Sequence, residues 1–263
     1  MESFYYITDF INNILRKHIF LLLFAILVIT FFTRNNFKSV ENIRPEILGQ
    51  PQQIKIEDES LIKFINNGYL YELTCLYDYE INALIVSKIN YKLFNIEKFN
   101  KVFPYDLCLI WGSNVSSGIY KYKNLRFYQD CRWCFVQWRE ELKFNWEEFS
   151  NSHLLINNPG LEKRVKSLVV GDQVRIKGKL VNVKAKLTGK LENYDALEYA
   201  WNTGVKKSGA GAGACKVIYV ERVDILQKAN VISDFLFHFS LYGLIILIIW
   251  KFIFLFFPYK NNS

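Results

Sequence analysis

Gly171-Asp-Gln-Val-Arg-Ile-Lys-Gly-Lys-Leu-Val181 is the stretch from which the fold can be read. Val174, Ile176 and Leu180 recur with a period of two, and Arg175, Lys177 and Lys179 fill the positions between them. That alternation describes a half-buried antiparallel strand, apolar on one face and cationic on the other. Just upstream, Asn158-Pro159 is a helix start, because Asn can cap and Pro is pre-shaped for the first helical position. Leu161, Val165, Leu168 and Val169 then fall at helical spacing, and Gly171 ends the run.

The neighbouring segments are also strand-like. Tyr69-Leu-Tyr-Glu-Leu-Thr-Cys-Leu-Tyr-Asp-Tyr79 and Asn82-Ala-Leu-Ile-Val-Ser-Lys-Ile89 are rich in aromatic and branched residues. Asp106-Leu-Cys-Leu-Ile-Trp-Gly112 reads as a buried strand, Leu125–Trp138 as an aromatic strand or hairpin, and Lys216–Leu226 as a last strand. Tyr91–Val102 reads as a short helix or loop, and residues 185–214 as a long loop ending in Gly209-Ala-Gly-Ala-Gly-Ala214. Residues 34–60 are polar and read as a linker, which leaves 61–229 as a soluble β-rich domain. A Gly-Asp-x-Val-x-Ile-x-Gly-x-Leu strand beside a short helix is similar to the small Greek-key barrels called OB-folds, and this likeness spans residues 161–226. The expected class is therefore membrane-anchored α+β, with two transmembrane helices flanking an OB-like barrel domain.

The membrane part of that expectation rests on two apolar runs. One covers residues 18–33, between Arg16-Lys17 and Arg34, with a tail of residues 1–17 before it. It would reach roughly 24 Å as a helix against a hydrocarbon core of about 30 Å, and its flanking cations can snorkel to cover the difference. A signal peptide would need a small-residue cleavage site, which does not follow the run. The second run covers residues 235–257 and contains His238, with Lys251 close to its end and a tail of residues 258–263 after it. Its Trp250, together with Tyr259 just beyond, suits a membrane interface. Two spans put both termini on one side. Arg34, Lys38, Arg44, Lys216, Arg222 and Lys228 outnumber Arg16, Lys17, Lys251 and Lys260, which favours a cytoplasmic domain. Long loops escape that rule, however, and the signal-anchor layout favours an extracytoplasmic one.

Composition narrows the function classes. With 51% hydrophobic and 17% aromatic residues the chain is no disordered tether. A net charge of +8 permits an anionic partner. In the basic tract from Lys163 to Lys190, the row Arg175, Lys177, Lys179 could follow phosphates of a lipid surface or, on the cytoplasmic side, of nucleic acid, although a solvated strand face explains it as well. Five cysteines are too few for a disulfide-dominated scaffold. Cys131 and Cys134 form a Cys-x-x-Cys pair in a strand-like context. In an extended strand they stand ~10 Å apart, so a thiol–disulfide site would require a turn between them. Cys108 and Cys215, on predicted core strands, are the candidates for a longer-range disulfide. His153, with Ser152, Cys108 or Cys134 as nucleophile, is the remaining catalytic possibility, but no Gly-x-Ser-x-Gly elbow accompanies it. No second close ligand pair for zinc and no phosphate-binding glycine loop are found, so no metal or cofactor is expected.

Tyr79-Glu-Ile-Asn-Ala-Leu-Ile-Val-Ser87, Asp106–Val115, Asn151-Ser-His-Leu-Leu155, Gly171–Gly178 and Gly213-Ala-Cys-Lys-Val-Ile-Tyr-Val220, taken in order, resemble an uncharacterised family of bacterial membrane-anchored proteins. The resemblance covers roughly residues 69–226. It implies a bacterial inner-membrane location and carries over no catalytic residue. The function expected from the sequence is a non-catalytic, membrane-anchored binding or assembly module, partnered by the bilayer and by other membrane or envelope proteins. The alternatives are a thiol-dependent or hydrolytic enzyme using Cys134 or His153, and nucleic-acid binding at a cytoplasmic face.

Overall fold

The computed structural model describes residues 2–34, 36–93, 102–139, 141–188, 197–206 and 215–256. The Gly209–Ala214 run, Lys190, residues 94–101 and the C-terminal tail lie outside them. Two compact units emerge: residues 37–229, and a helical unit made from both ends of the chain.

In the helical unit, α1 (Glu2–Thr33) and α4 (Val231–Phe256) pack against each other. Gly243 lets α4 approach Leu23, and an added Cβ there would lie 3.0 Å from Leu23 Cδ1. Arg16 lies 4.3 Å over the Trp250 ring at one end of the pair, and Arg34 lies 3.6 Å over Phe237 at the other. Thr30 and Ser240 are buried, each hydroxyl bonded to a carbonyl of its own helix. The outward faces stay apolar, with Leu22, Ile29, Phe32, Phe235 and Ile246 all exposed. Both helices are long and apolar enough to cross a membrane, over Arg16–Thr33 and Val231–Ile253.

The second unit is α+β, built on a seven-stranded sheet in the order β1-β2-β3-β6-β9-β7-β8. Its strands are β1 (Gln52–Asn66), β2 (Tyr69–Asn90), β3 (Tyr105–Ile110), β6 (Phe149–Leu155), β7 (Gln173–Leu187), β8 (Glu198–Trp201) and β9 (Cys215–Gln227). The pairs are antiparallel except β6 with β9, which run parallel. β2 also pairs with β7 along Tyr69–Leu84. The pairings β2–β3–β6–β9–β7 therefore return to β2, and β1 and β8 are left at the margins.

β7 alternates as its sequence requires, with Val174, Ile176 and Leu180 fully buried. Gly178 sits where the β7–β9 register shifts, and an added Cβ would lie 2.0 Å from the Tyr219 carbonyl oxygen. α3 (Pro159–Ser167) begins as the capping signal predicts, with Asn158 Oδ1 accepting from Leu161 N–H. Its last carbonyls are gathered by Lys88, whose ammonium donates to Val165, Lys166 and Leu168. Burial lowers the Lys88 pKa to about 8. The central core combines Leu107, Leu109, Trp111, Leu154, Ile176 and Ile218 from four strands and the turn after β3.

Three local readings change. The stretch expected as a linker contributes Val40 and Ile47 to the core and, from Gln52, all of the start of β1. Tyr69–Asn90 is one long strand rather than two, with register irregularities at Cys75/Tyr77 and Ile85/Ser87. Within the expected long loop, β7 continues to Leu187 and Glu198–Trp201 forms β8. The aromatic stretch is a hairpin, β4 (Arg126–Asp130) and β5 (Trp133–Gln137), whose turn places Cys131 and Arg132 at φ 45° and 74°.

Candidate functional site

β3, β6 and β9 lie side by side, and residues of even number on β3 share a face with residues of odd number on β6 and β9. The opposite face feeds the central core through Leu107, Leu154 and Ile218. On the first face the register sets Asp106 across from His153, Cys108 across from Asn151, and Asn151 across from Cys215. Three chemically active side chains, remote in sequence, are thereby collected. Asp106, His153 and Cys215 are each no more than 2% exposed.

Within this cluster His153 Nδ1 is 2.9 Å from Asp106 Oδ1. Cys215 shares the face of His153 one residue pair away, and neither imidazole nitrogen makes a well-aligned hydrogen bond among the described residues. Asn151 Nδ2 donates to Cys215 Sγ at 3.4 Å and to the Arg132 carbonyl at 2.6 Å. Asn151 Oδ1 is buried without a hydrogen-bond partner among the described residues. Arg132 reaches in from the hairpin turn: its Nη1 is 3.5 Å from Asp106 Oδ2, it donates to the Phe103 carbonyl, and the guanidinium lies 3.7 Å over the Tyr91 ring. Phe103 and Trp201 close the cluster, 5.5 and 5.6 Å from the His153 ring.

Burial pulls the His153 pKa down, but the Asp106 charge, with the close Asp106 and Cys215 side chains, outweighs it and pushes it up to about 9. The imidazolium is thus the favoured form at neutral pH, held between a carboxylate and a thiol. Next to Cys215, the buried Lys216 ammonium donates to the Gly204 and Lys206 carbonyls, and burial lowers its pKa to about 8.

Comparison of the chain with family models, with curated proteins and with solved structures gives no match. The geometry therefore carries the functional argument alone.

The sequence-predicted residues fall as follows. Cys108 is joined to Cys134, with Cα atoms 6.0 Å apart, tying β3 to the hairpin. The expected partner, Cys215, is two strands away with Asn151 between, about 9.6 Å at the usual strand spacing and beyond disulfide reach. A turn does separate Cys131 from Cys134, yet Cys131 is exposed while Cys134 is committed to Cys108. Neither Cys108 nor Cys134 is therefore the sulfur beside His153. Ser152 is not its partner either, since it points to the opposite face and bonds Ser150 at 3.0 Å.

Arg175, Lys177 and Lys179 do share one face, but acidic neighbours meet each of them. Arg175 and Lys177 pair with the two oxygens of Glu80 at 3.1 and 2.7 Å. Lys179 pairs with Asp78 at 2.5 Å and lies 3.9 Å from Glu221. A hydrogen bond to Asp78 is the chief cause of the raised Lys179 pKa. Among the described residues no group of three or more His, Cys, Asp or Glu side chains is placed to hold a metal ion.

The Trp111-Gly-Ser-Asn114 motif has a structural role. Glu148 accepts from Ser113 N–H at 2.5 Å, from the Ser113 hydroxyl, and from Gln50 Nε2 at 3.0 Å. Gly112, at φ 57°, leaves the room that the carboxylate occupies. Sequence reasoning missed Asp106 and Cys215 as partners of His153. The one available signal was a carboxylate opening an otherwise apolar strand.

Proposed function

We propose that this chain is a multi-pass protein of the bacterial inner membrane that holds an OB-type barrel outside the cytoplasm as a binding or assembly module. The observation that carries this reading is the connectivity: two apolar helices bracket a ring of strands in the order β2-β3-β6-β9-β7. Within that ring α3 follows the third strand, and the third and fifth strands are the parallel pair. This is the strand order of an OB barrel, a fold that offers its outer surface to ligands. The helices support a bilayer setting because their outward side chains are apolar and exposed, a costly arrangement in water.

The Cys108–Cys134 bond supports an extracytoplasmic barrel, since such bonds persist in oxidising compartments. The matched carboxylates around Arg175, Lys177 and Lys179 argue against an anionic lipid or nucleic-acid surface there, and we assign that row to strand pairing.

The chain should stay with membranes after alkaline carbonate washing. Reporter fusions at Ser263 and after Gly204 should give cytoplasmic and extracytoplasmic signals, respectively. Release by carbonate would remove the anchors from the reading, and a cytoplasmic signal after Gly204 would reverse the barrel's side.

A further inference from the structure

We propose that Cys215 is the nucleophile of a buried thiol centre, with His153 as its base and Asp106 as the residue that positions the imidazole, and that the centre accepts the apolar acyl group of an ester. The proposal goes beyond anchoring and binding, and it holds on either side of the membrane.

The geometry has the parts that acyl transfer to a thiol needs. Asp106 Oδ1 lies 2.9 Å from His153 Nδ1, and Nε2, buried without a hydrogen-bond partner among the described residues, is left as the nitrogen for Cys215. Asn151 Nδ2, 3.4 Å from Sγ, offers a donor to charge developing on the sulfur. Each of these groups sits on a central strand, so the set is held by backbone pairing rather than by loops.

A structural role would not require this chemistry. The surroundings are apolar (Phe103, Leu155, Val217 and Trp201 among them), and a buried ion pair is often no more stabilising than apolar residues of similar size. Cys75 shows the bland alternative: a buried thiol on β2 whose pKa is raised chiefly by burial, with no histidine at hand.

The wall of the site points to the substrate. Phe103, Tyr199 and Trp201 form an aromatic cluster against the histidine, suited to an apolar acyl group. Trp201 ends β8, a four-residue strand at the sheet margin, and its ring lies 5.6 Å from that of His153. In the reaction, which uses the neutral imidazole and therefore quickens as pH rises toward 9, Sγ bonds to the ester carbonyl carbon while its proton passes to His153 Nε2. The carbon–oxygen bond then breaks, and His153 protonates the leaving alkoxide. Water attacks the thioester, gives its proton to Nε2, and releases the acid and the restored thiol.

The test uses the full chain in detergent micelles with p-nitrophenyl butyrate. A burst of nitrophenolate and a butyryl adduct on the Cys215 peptide are expected, faster than with the acetyl ester. His153→Ala should slow acylation at least ~100-fold, and Cys215→Ser should remove the adduct, both with the Cys108–Cys134 bond retained as the mark of a folded barrel. Asp106→Asn should shift the pH profile of acylation, which a merely structural carboxylate would not do. Cys75→Ser should change nothing. Absence of a Cys215 adduct, or wild-type acylation by folded His153→Ala, would overturn the proposal, and equal rates with the two esters would overturn the apolar preference.

Discussion

Gly178 marks a close backbone approach between β7 and β9. A methyl group there would stand 2.0 Å from the Tyr219 carbonyl, which belongs to a paired strand and cannot turn away. Gly178→Ala should therefore cost on the order of 3 kcal/mol or more, read as a lower urea midpoint. The His153 charge makes a second prediction at this scale. Its folded pKa of about 9 lies above its unfolded value of 6.5, so its contribution to stability is fully present below pH 6.5 and is lost as pH rises through 9. Lys88 and Lys216 act with the opposite sign. Their folded values of about 8 lie below the ordinary 10.5, and the cost of burying their charge is relieved as pH rises from 8 to 10.5. Between pH 6.5 and 8 the histidine should dominate among these three. Melting temperature should fall across that window in the parent chain, and His153→Gln should flatten the slope.

The elements differ in how plainly the sequence announces them. β7 and α3 were legible because each has one buried face and a clear terminator: alternation from Val174 to Leu180, and Asn158 as cap. β6 was not, because every residue from Phe149 to Leu155 is buried and no alternation survives. β1 was hidden by polar residues suited to a strand paired on one side only. The candidate site could be read only in part for the same reason. His153 stood out as a rare residue, but its partners come from strands that only the register brings alongside, and neither Asp106 nor Cys215 belongs to a local motif. The β4–β5 hairpin packs Phe127 and Val136 against the core and is tied to β3 by Cys108–Cys134, across a sequence separation of 26. Replacing both cysteines with Ser should cost about 3.5 kcal/mol by loop-closure entropy. Because Arg132 sits in that hairpin turn, the same variant should also loosen the contact over Asp106, visible as faster amide exchange at Arg132 than at Val217.

At the scale of the whole molecule, the ring closes through strands that are far apart in the chain: β2 meets β7, and β6 waits for β9. β9 is the last of the described strands, so removing everything from Cys215 onward should leave β6 and β7 each without one of its neighbours. Such a truncation should show no cooperative unfolding transition by circular dichroism. The parallel pairing of β6 with β9 also has a consequence for biosynthesis. A chain made and delivered from its N-terminus presents β2, β3 and β6 long before their closing partner exists, and open strand margins recruit neighbours. The sheet is thus committed to a period of waiting in which it is vulnerable to self-association. The cell has to bridge that interval either with a holding factor or by delivering the chain quickly enough that β9 arrives first.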